Sequence, residues 1–498
     1  MSAAANEPSP SDGERLLSGW GRAPVSRARV VKAHDGLEAT AALAAASATG
    51  ERLIGRGLGR SYGDAAQVSG GVVVDLTGAT RLLCFDGASG VVTAEAGLSI
   101  DTLLRTSVPE GWFVPVTPGT RQVTLAGALA ADVHGKNHHV DGSFAGWVER
   151  FKLATAAGTL EVSKERESDV FWATAGGMGL TGLVLDLTLQ LIPIESSAMV
   201  VDTERAADLD DCMARMEERD AEYRYSVAWI DCLARGRHVG RSVLTRGEHA
   251  TSARLEGAGR AAARFGPGLR AYDPRELASV PLTPPVRLLS RKAVAAFNEA
   301  WFRKSPKEKR GEIQSIQAFF HPLDGVREWN RLYGPRGFTQ YQFVVPSGAE
   351  ETLRSIVGSL SSNQVPSFLT VLKRFGAADP GHLSFPAKGW TLAVDIPLGL
   401  PGLSELLDGF DEEVAAAGGR IYLAKDGRLR PELLGTMYPR LDEWREVCDR
   451  LDPARTFSSD LDRRLSLRRP LRRPLRRPRT SPGSRRTPLG RSPGEVAP

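Results

Sequence analysis

The chain has 498 residues, 42% hydrophobic and 25% charged, an ordinary globular composition and too long for one core, so two domains are expected. Its net charge of +5 is uneven: from Arg463 onward there are twelve arginines and one glutamate, which leaves the preceding residues at −6, so the basicity gives no argument for a nucleic-acid-binding fold. The four cysteines, Cys84, Cys212, Cys232 and Cys448, are far apart with no C-x-x-C spacing, against a disulfide framework; no apolar leader and no run near ~20 apolar residues is present, pointing to a cytoplasmic protein.

In chain order, residues 1–20 are small and polar and are expected to be disordered. A strand from Val30, an Ala-rich helix over Leu37–Ala48 and a strand at Arg52–Gly55 lead into the stretch LIGRGLGRSYGDAAQ, Leu53–Gln67. Strands follow at Val72–Leu76, Leu82–Phe85 and Val91–Ala96, then a helix over Ile100–Thr106. Pro118-Gly119 marks a turn and Thr124 the start of a small-residue helix. Strands are expected at Val148–Thr155 and Thr159–Val162. Leucines at 183, 185, 187, 189 and 191 give the period of two of a half-buried strand, ended by Pro193. Beyond it, strands at Tyr225–Asp231, Gln314–Phe320, Phe338–Val345, Phe368–Phe375, Trp390–Pro397 and Arg420–Ala424 alternate with helices over Glu350–Leu360, Leu403–Ala417 and Leu441–Leu451. That pattern suggests an α+β domain with a mostly antiparallel sheet. Residues 247–312 read as a long, partly mobile insertion. The tail carries three LRRP repeats; proline at every fourth position forbids a regular helix, so 465–498 is expected to be disordered, with an anionic-surface tether as the functional alternative.

Four glycines, Gly55, Gly57, Gly59 and Gly63, with Arg56 and Arg60 among them, exceed what a turn needs and suit a pyrophosphate loop. A Rossmann reading fits Gly55, Gly57 and the acid Asp75, but position 60 is Arg and no crossover helix follows. A nucleophile elbow, G-x-S-x-G, is matched by Gly59, Ser61 and Gly63 but needs a helix after the serine. His134, His138 and His139 lack metal-site spacing, so a single functional imidazole, His134, is favoured over a metal. Lys425 leaves an apolar strand beside Asp426; alone it reads as a solvated lysine, in a pocket as a tunable base.

Together GRGLGRSYGDAAQ, PGTRQVTLAGALAADVHGKNHH, FWATAGGMGLTG, EWNRLYGPRGFTQYQFVVP, LSFPAKGWTLAVDIP and YLAKDGR resemble the decaprenylphosphoryl-β-D-ribose 2′-oxidase family, over about residues 20–465. The resemblance implies an α+β, two-domain flavoprotein of the vanillyl-alcohol-oxidase type. It would have a PCMH-type FAD-binding domain (21–194), a substrate domain with an antiparallel sheet (195–414) and a C-terminal return to the FAD domain (415–464). FAD would contact Gly55, Arg56, Gly57, Leu58, Gly59, Arg60, Ser61, Tyr62, Gly63, Asp64 and Ala65, with Gly119, Thr124, Leu125, Ala126, Gly127, Ala131, Asp132, Val133, His134, Val184 and Tyr422. Many relatives attach FAD through a histidine in this loop; Arg60 stands at that position, so non-covalent FAD is expected.

The family reaction oxidises the 2-hydroxyl of a polyprenyl-phosphate-linked ribofuranose, passing hydride to flavin N5 and giving a 2-keto sugar for arabinan synthesis. Lys425, His134 and Tyr62 match catalytic positions, and Lys136, Phe320, Gln342, Lys373 and Ala393 match substrate-pocket positions. Two of these depart from the pattern: Ala393 replaces a cysteine of the best-known members, and Phe320 a frequent tyrosine. The resemblance also implies an NAD(P)H-dependent short-chain reductase partner, no nucleic-acid partner and no metal. Peripheral contact with the inner membrane would follow from a lipid substrate, with the envelope side left open. An oxygen-using FAD oxidase of a soluble sugar or alditol, and a serine hydrolase built on Ser61, remain alternatives.

Overall fold

The apolar periodicities of the chain become three main sheets in a computed structural model that describes residues 13–285 and 289–469. The first sheet orders Glu14–Ser18, Val25–Lys32, Val72–Asp75 and Leu53–Arg56 side by side. Helix Gly36–Thr49 makes the crossover to Leu53. Asp35 caps it by accepting from the Glu38 N–H, and Gly50 ends it at φ 72°, the left-handed value that favours glycine. The second sheet is antiparallel, in the order Leu82–Asp86, Val91–Glu95, Leu183–Gln190, Val148–Thr155, Gly158–Ser163.

The third sheet has eight strands: Glu308–Ser315, Ala198–Ala206, Ser242–His249, Tyr225–Ile230, Thr370–Phe375, Gly389–Pro397, Phe338–Pro346 and Arg420–Ile421, in that order. Every neighbouring pair is antiparallel. Helices Glu350–Ser362 and Leu403–Ala416 bury their apolar stripes in the same core as its central strands. All nine residues of Gly389–Pro397 are buried, so this strand is covered on both faces.

Several expectations are corrected. Glu14–Ser18, placed in a disordered leader, pairs with Val25–Arg29. The expected strand Gln314–Phe320 divides at Ser315, whose side chain caps the helix Ile316–Phe320; a serine before an apolar run is an N-cap signal as readily as a strand signal. Of Arg420–Ala424 only Arg420–Ile421 pairs, and a turn closed by the Lys425 N–H on Tyr422 O at 2.9 Å follows. The expected insertion, 247–312, holds helices Ser252–Glu256 and Arg291–Lys304, and packs Leu255, Ala262 and Phe265 on Ala198. At the start of the expected disordered tail, Leu467 and Arg468 are buried, and Arg468 pairs with Asp452. The remaining calls of disorder, on 1–12 and 470–498, lie outside the described residues. No helix among the described residues is long and apolar enough to cross a membrane.

Candidate active site

The glycine loop is clamped on both sides. The Trp20 N–H donates to Ser61 O at 2.7 Å and the Gly21 N–H to Tyr62 O at 3.1 Å, while the Tyr62 N–H donates to Ala424 O at 2.9 Å. The N–H groups of Leu58–Ser61 and Gly63–Ala65 meet no acceptor among the described residues. Backbone donors in folded proteins are nearly always paired, so this row of amides fits a ligand rich in acceptors, such as a pyrophosphate. Glycine is needed where the walls touch: a Cβ on Gly57 would lie 2.3 Å from Thr124 Oγ1, and one on Gly63 1.8 Å from Asp426 O. The Arg60 guanidinium lies 3.8 Å over the Trp20 ring, and its buried Nε has no partner among the described residues, which leaves a cation for the same ligand. These features fit the diphosphate of FAD.

Other loop side chains maintain the loop itself. Arg56 donates to Ala66 O at 2.9 Å and Ser18 O at 2.7 Å, Asp64 forms a two-pronged pair with Arg464, and Ala65 is in the core. Arg464 also reaches Asp426 at 2.9 Å, so one cation ties the loop to the turn that carries Lys425. The facing wall is the helix Leu125–Ala130, capped by Thr124 Oγ1 accepting from the Gly127 N–H at 3.1 Å. Leu125, Ala126, Val133 and Val184 are buried apolar contacts, and space is open around Gly119. The Tyr422 hydroxyl donates to Ala131 O at 2.7 Å. Asp132, at φ 39°, accepts from the Ala145 N–H and Ser384 Oγ, so its carboxylate serves the fold.

Three strands form the floor. Gln340 lies opposite Asp395, Gln342 opposite Ala393, and Lys373 opposite Thr391. The period of two puts Gln340, Gln342, Lys373, Thr391, Ala393 and Asp395 on one face. Gln340 Nε2 bridges Asp395 Oδ1 and the Tyr62 hydroxyl, the latter at 3.3 Å. Gln342 Nε2 lies 2.9 Å from His134 Nε2. An amide nitrogen only donates, so that ring nitrogen accepts and Nδ1 carries the proton; Nδ1 is buried with no partner among the described residues. Lys425 Nζ sits 3.8 Å over the Tyr62 ring.

Burial sets the protonation states. It lowers Lys136 to about 7, with help from Lys373, and Lys373 to about 8. It also lowers Lys425 and raises Asp395, each partly offset by the other's charge, so the pair shares a proton in the neutral range. Burial and the neighbouring Lys373 push His134 well below its usual value, leaving a neutral imidazole. Burial and Asp395 push Tyr62 well above its own, leaving a phenol that donates. Three lysines against one carboxylate favour an electron-rich ligand. An amine near neutrality, beside fixed donors, can take a proton from a bound hydroxyl.

Phe320 is 2% exposed, packed on Tyr225 at 4.8 Å and Phe113 at 5.1 Å, and it backs Lys136 at 5.9 Å. Lys136 Nζ donates to Phe319 O. His138 Nδ1 accepts from the Gly376 N–H, and His139 Nε2 faces Tyr223 O at 2.9 Å; both knit the fold. No helix separates Leu53–Arg56 from Val72–Asp75, and none follows Ser61 directly, which overturns the Rossmann and nucleophile-elbow readings. Sequence reasoning missed Asp395 and Gln340, although a lone carboxylate inside the apolar WTLAVDIP was a usable signal. It also missed Trp20 and Arg464, for which nothing local points to the site.

The FAD binding domain family matches residues 28–163. The chain is 39% identical over 462 residues, 92% of its length and 98% of the relative's, to decaprenylphosphoryl-beta-D-ribose oxidase of Mycolicibacterium smegmatis. It is 22% identical over 460 residues to L-gulono-1,4-lactone dehydrogenase of Mycobacterium tuberculosis, 90% of this chain and 99% of that one. Among solved structures, a BBE-like 1 protein of Physcomitrella patens superposes with TM-score 0.61 at 13% identity, over 87% of this chain and 90% of that one. 6-Hydroxy-D-nicotine oxidase of Arthrobacter nicotinovorans gives TM-score 0.59 at 16%, over 88% and 92%. The fold is the α+β, two-domain, PCMH-type flavoprotein architecture that the motifs implied. With near-complete coverage at that identity, the chain belongs to the decaprenylphosphoryl-β-D-ribose oxidase family of FAD-dependent oxidoreductases.

Proposed function

We infer that this protein oxidises the 2-hydroxyl of decaprenylphosphoryl-β-D-ribofuranose to the 2-keto sugar, using non-covalent FAD. The observation that carries this reading is the match along 98% of the Mycolicibacterium smegmatis relative. When bound, FAD would supply the two-electron oxidation of the alcohol. The chain supplies the rest. The free amides of Leu58–Ser61 and Gly63–Ala65, with Arg60, would hold the diphosphate, and the wall Thr124–His134 with Val184 and Tyr422 would hold the remainder of the cofactor. Lys425 takes the hydroxyl proton as hydride leaves carbon, and Asp395 opposes its ammonium across the floor. Tyr62 and the His134 Nδ1–H orient the sugar by donating hydrogen bonds, and Gln342 Nε2, which donates to His134 Nε2 and Thr391 Oγ1, fixes that tautomer. Lys136 and Lys373 face its oxygens, and Phe320 and Ala393 shape the wall. Residues 21–194 and 415–464 form the flavin domain, and 195–414 the substrate domain.

An NAD(P)H-dependent short-chain reductase consumes the keto product, and the lipid substrate brings the enzyme to a membrane surface from the cytoplasm. The test is the visible spectrum before and after acid precipitation, then anaerobic addition of the lipid-linked ribose. Soluble yellow colour and bleaching by the substrate are expected, with Lys425→Met retaining colour but failing to bleach. Colour trapped in the pellet, or peroxide release with a soluble alditol and none of this bleaching, overturns the reading.

A further inference from the structure

The helix Arg291–Lys304 presents the wrong face to water. Only Val294 and Asn298 along it are buried, and Asn298 is pinned by its amide donating to Asp231 Oδ1 at 2.8 Å and Ser367 O at 3.2 Å. Ala293, Ala296, Phe297, Ala300 and Trp301 recur at three- and four-residue spacing, so they share one face, and all five are exposed. Phe297 is 46% and Trp301 42% exposed, and their rings stack at 6.3 Å and 11°. An amphipathic helix of a globular protein normally turns such a stripe inward.

Charge and position name what covers it. Lys292 and Arg303 line one edge of the stripe, Arg303 paired with Glu299, and Lys304 ends it. Arg291, Lys292, Lys304 and Lys307 have no hydrogen-bond or ion-pair partner for their side chains among the described residues. The segment before the helix adds Leu277 and Leu282, 83% and 79% exposed. Leu282 lines a cleft of about 490 Å³ beside Arg56 and Gly59 of the glycine loop. Phe297 also packs edge-on against Phe368 at 5.9 Å, Phe368 against Trp329 at 6.2 Å, and Trp329 belongs to the same apolar cluster as Tyr62. The stripe is thus joined by aromatic contacts to the cluster that holds Tyr62 of the candidate site.

Aromatic rings on one face with lysine and arginine along one edge and at its end match the boundary of an anionic bilayer, where rings sit among acyl chains and cations meet phosphates. We propose that the face of Phe297 and Trp301, with the Leu282 segment beside it, docks on the surface of a membrane containing anionic phospholipid, where a polyprenyl-linked sugar would be met. This deepens, and rests on, the lipid-linked substrate reading above.

The test uses the full chain with bound FAD and phosphatidylglycerol vesicles bearing brominated acyl chains, with phosphatidylcholine vesicles for comparison. Brominated phosphatidylglycerol should quench part of the tryptophan emission. That part should vanish in Trp301→Phe, which keeps binding. The pair Phe297→Ser with Trp301→Ser should lower partitioning at least tenfold while FAD content and turnover of a short-chain, water-soluble substrate analogue stay at wild-type levels. Unchanged quenching in Trp301→Phe, unchanged partitioning of the double variant (the Arg-rich tail then being the anchor), or equal binding to phosphatidylcholine overturns the proposal. Docking without oxidation of lipid-linked ribose would count against the substrate reading alone, and oxidation without docking against this surface alone.

Discussion

Gly63→Ala tests the closest backbone approach at the site. Gly63 does not have a positive φ, so its torsions accept alanine and the effect is purely steric. The added Cβ would stand 1.8 Å from Asp426 O, 2.7 Å from its carbonyl carbon and 3.0 Å from Gly427 Cα. All three are backbone atoms and cannot swing away. Restoring van der Waals distance requires the glycine loop and the Lys425 turn to part by about 1.5 Å. That movement breaks the 2.9 Å bond from the Tyr62 N–H to Ala424 O and lifts Lys425 from its 3.8 Å seat on the Tyr62 ring. Overpacking of this kind costs about 1–3 kcal/mol, and with this loop proposed above as the diphosphate site, FAD should bind about 10- to 100-fold more weakly. The assay is FAD titration of deflavinated protein by flavin fluorescence, with thermal unfolding alongside. Gly427→Ala is the control, because its Cβ would meet nothing nearer than Gly63 Cα at 3.6 Å. Wild-type FAD affinity in Gly63→Ala, or equal damage in Gly427→Ala, would refute the reasoning.

The base proposed above, Lys425, works only once deprotonated, so kcat/KM should rise with pH through the neutral range; Asp395 favours its ammonium, so in Asp395→Asn the rising limb should move to lower pH, and a shift to higher pH would sink the pairing. Arg464→Met strands the carboxylates of Asp64 and Asp426, whose side chains are 3% and 2% exposed. Urea unfolding should show a loss of about 3–5 kcal/mol, and a loss under 1 kcal/mol would mean the pairs are solvated. A thiol-directed inhibitor of family members with cysteine at the Ala393 position should leave no adduct on the Gly389–Pro397 segment or on Cys232 in peptide mass mapping, since Cys232 is buried, bonded to Thr370 and pushed up to about 12 by burial, while the exposed Cys84 is mapped separately. Ala393→Cys should create the adduct.

Much of the site was legible because its parts are local. A pyrophosphate loop needs glycines and cations within a few residues, and Leu53–Gln67 shows them. Helices such as Leu441–Leu451, and strands such as Leu183–Gln190, repeat their apolar residues at a period that short windows capture. Where one residue type serves two roles, local reading failed: Ser315 caps a helix inside an expected strand, and the apolar IQAFF after it fits either element.

The sequence by itself determined the family and the glycine loop proposed for the cofactor, because backbone freedom, charge and motif order are properties of the chain. Tertiary structure alone decided what those groups mean. Burial on both faces of Gly389–Pro397 erases the alternation that would have shown which side Asp395 takes. Only strand register brings it beside Gln340, and only the clamp between the glycine loop and the Lys425 turn brings Tyr62 under that lysine. Arg464 reaches Asp64 across 400 positions of sequence. Desolvation then turns ordinary lysines into neutral-range bases, and desolvation belongs to the packed fold, since it depends on which neighbours exclude water.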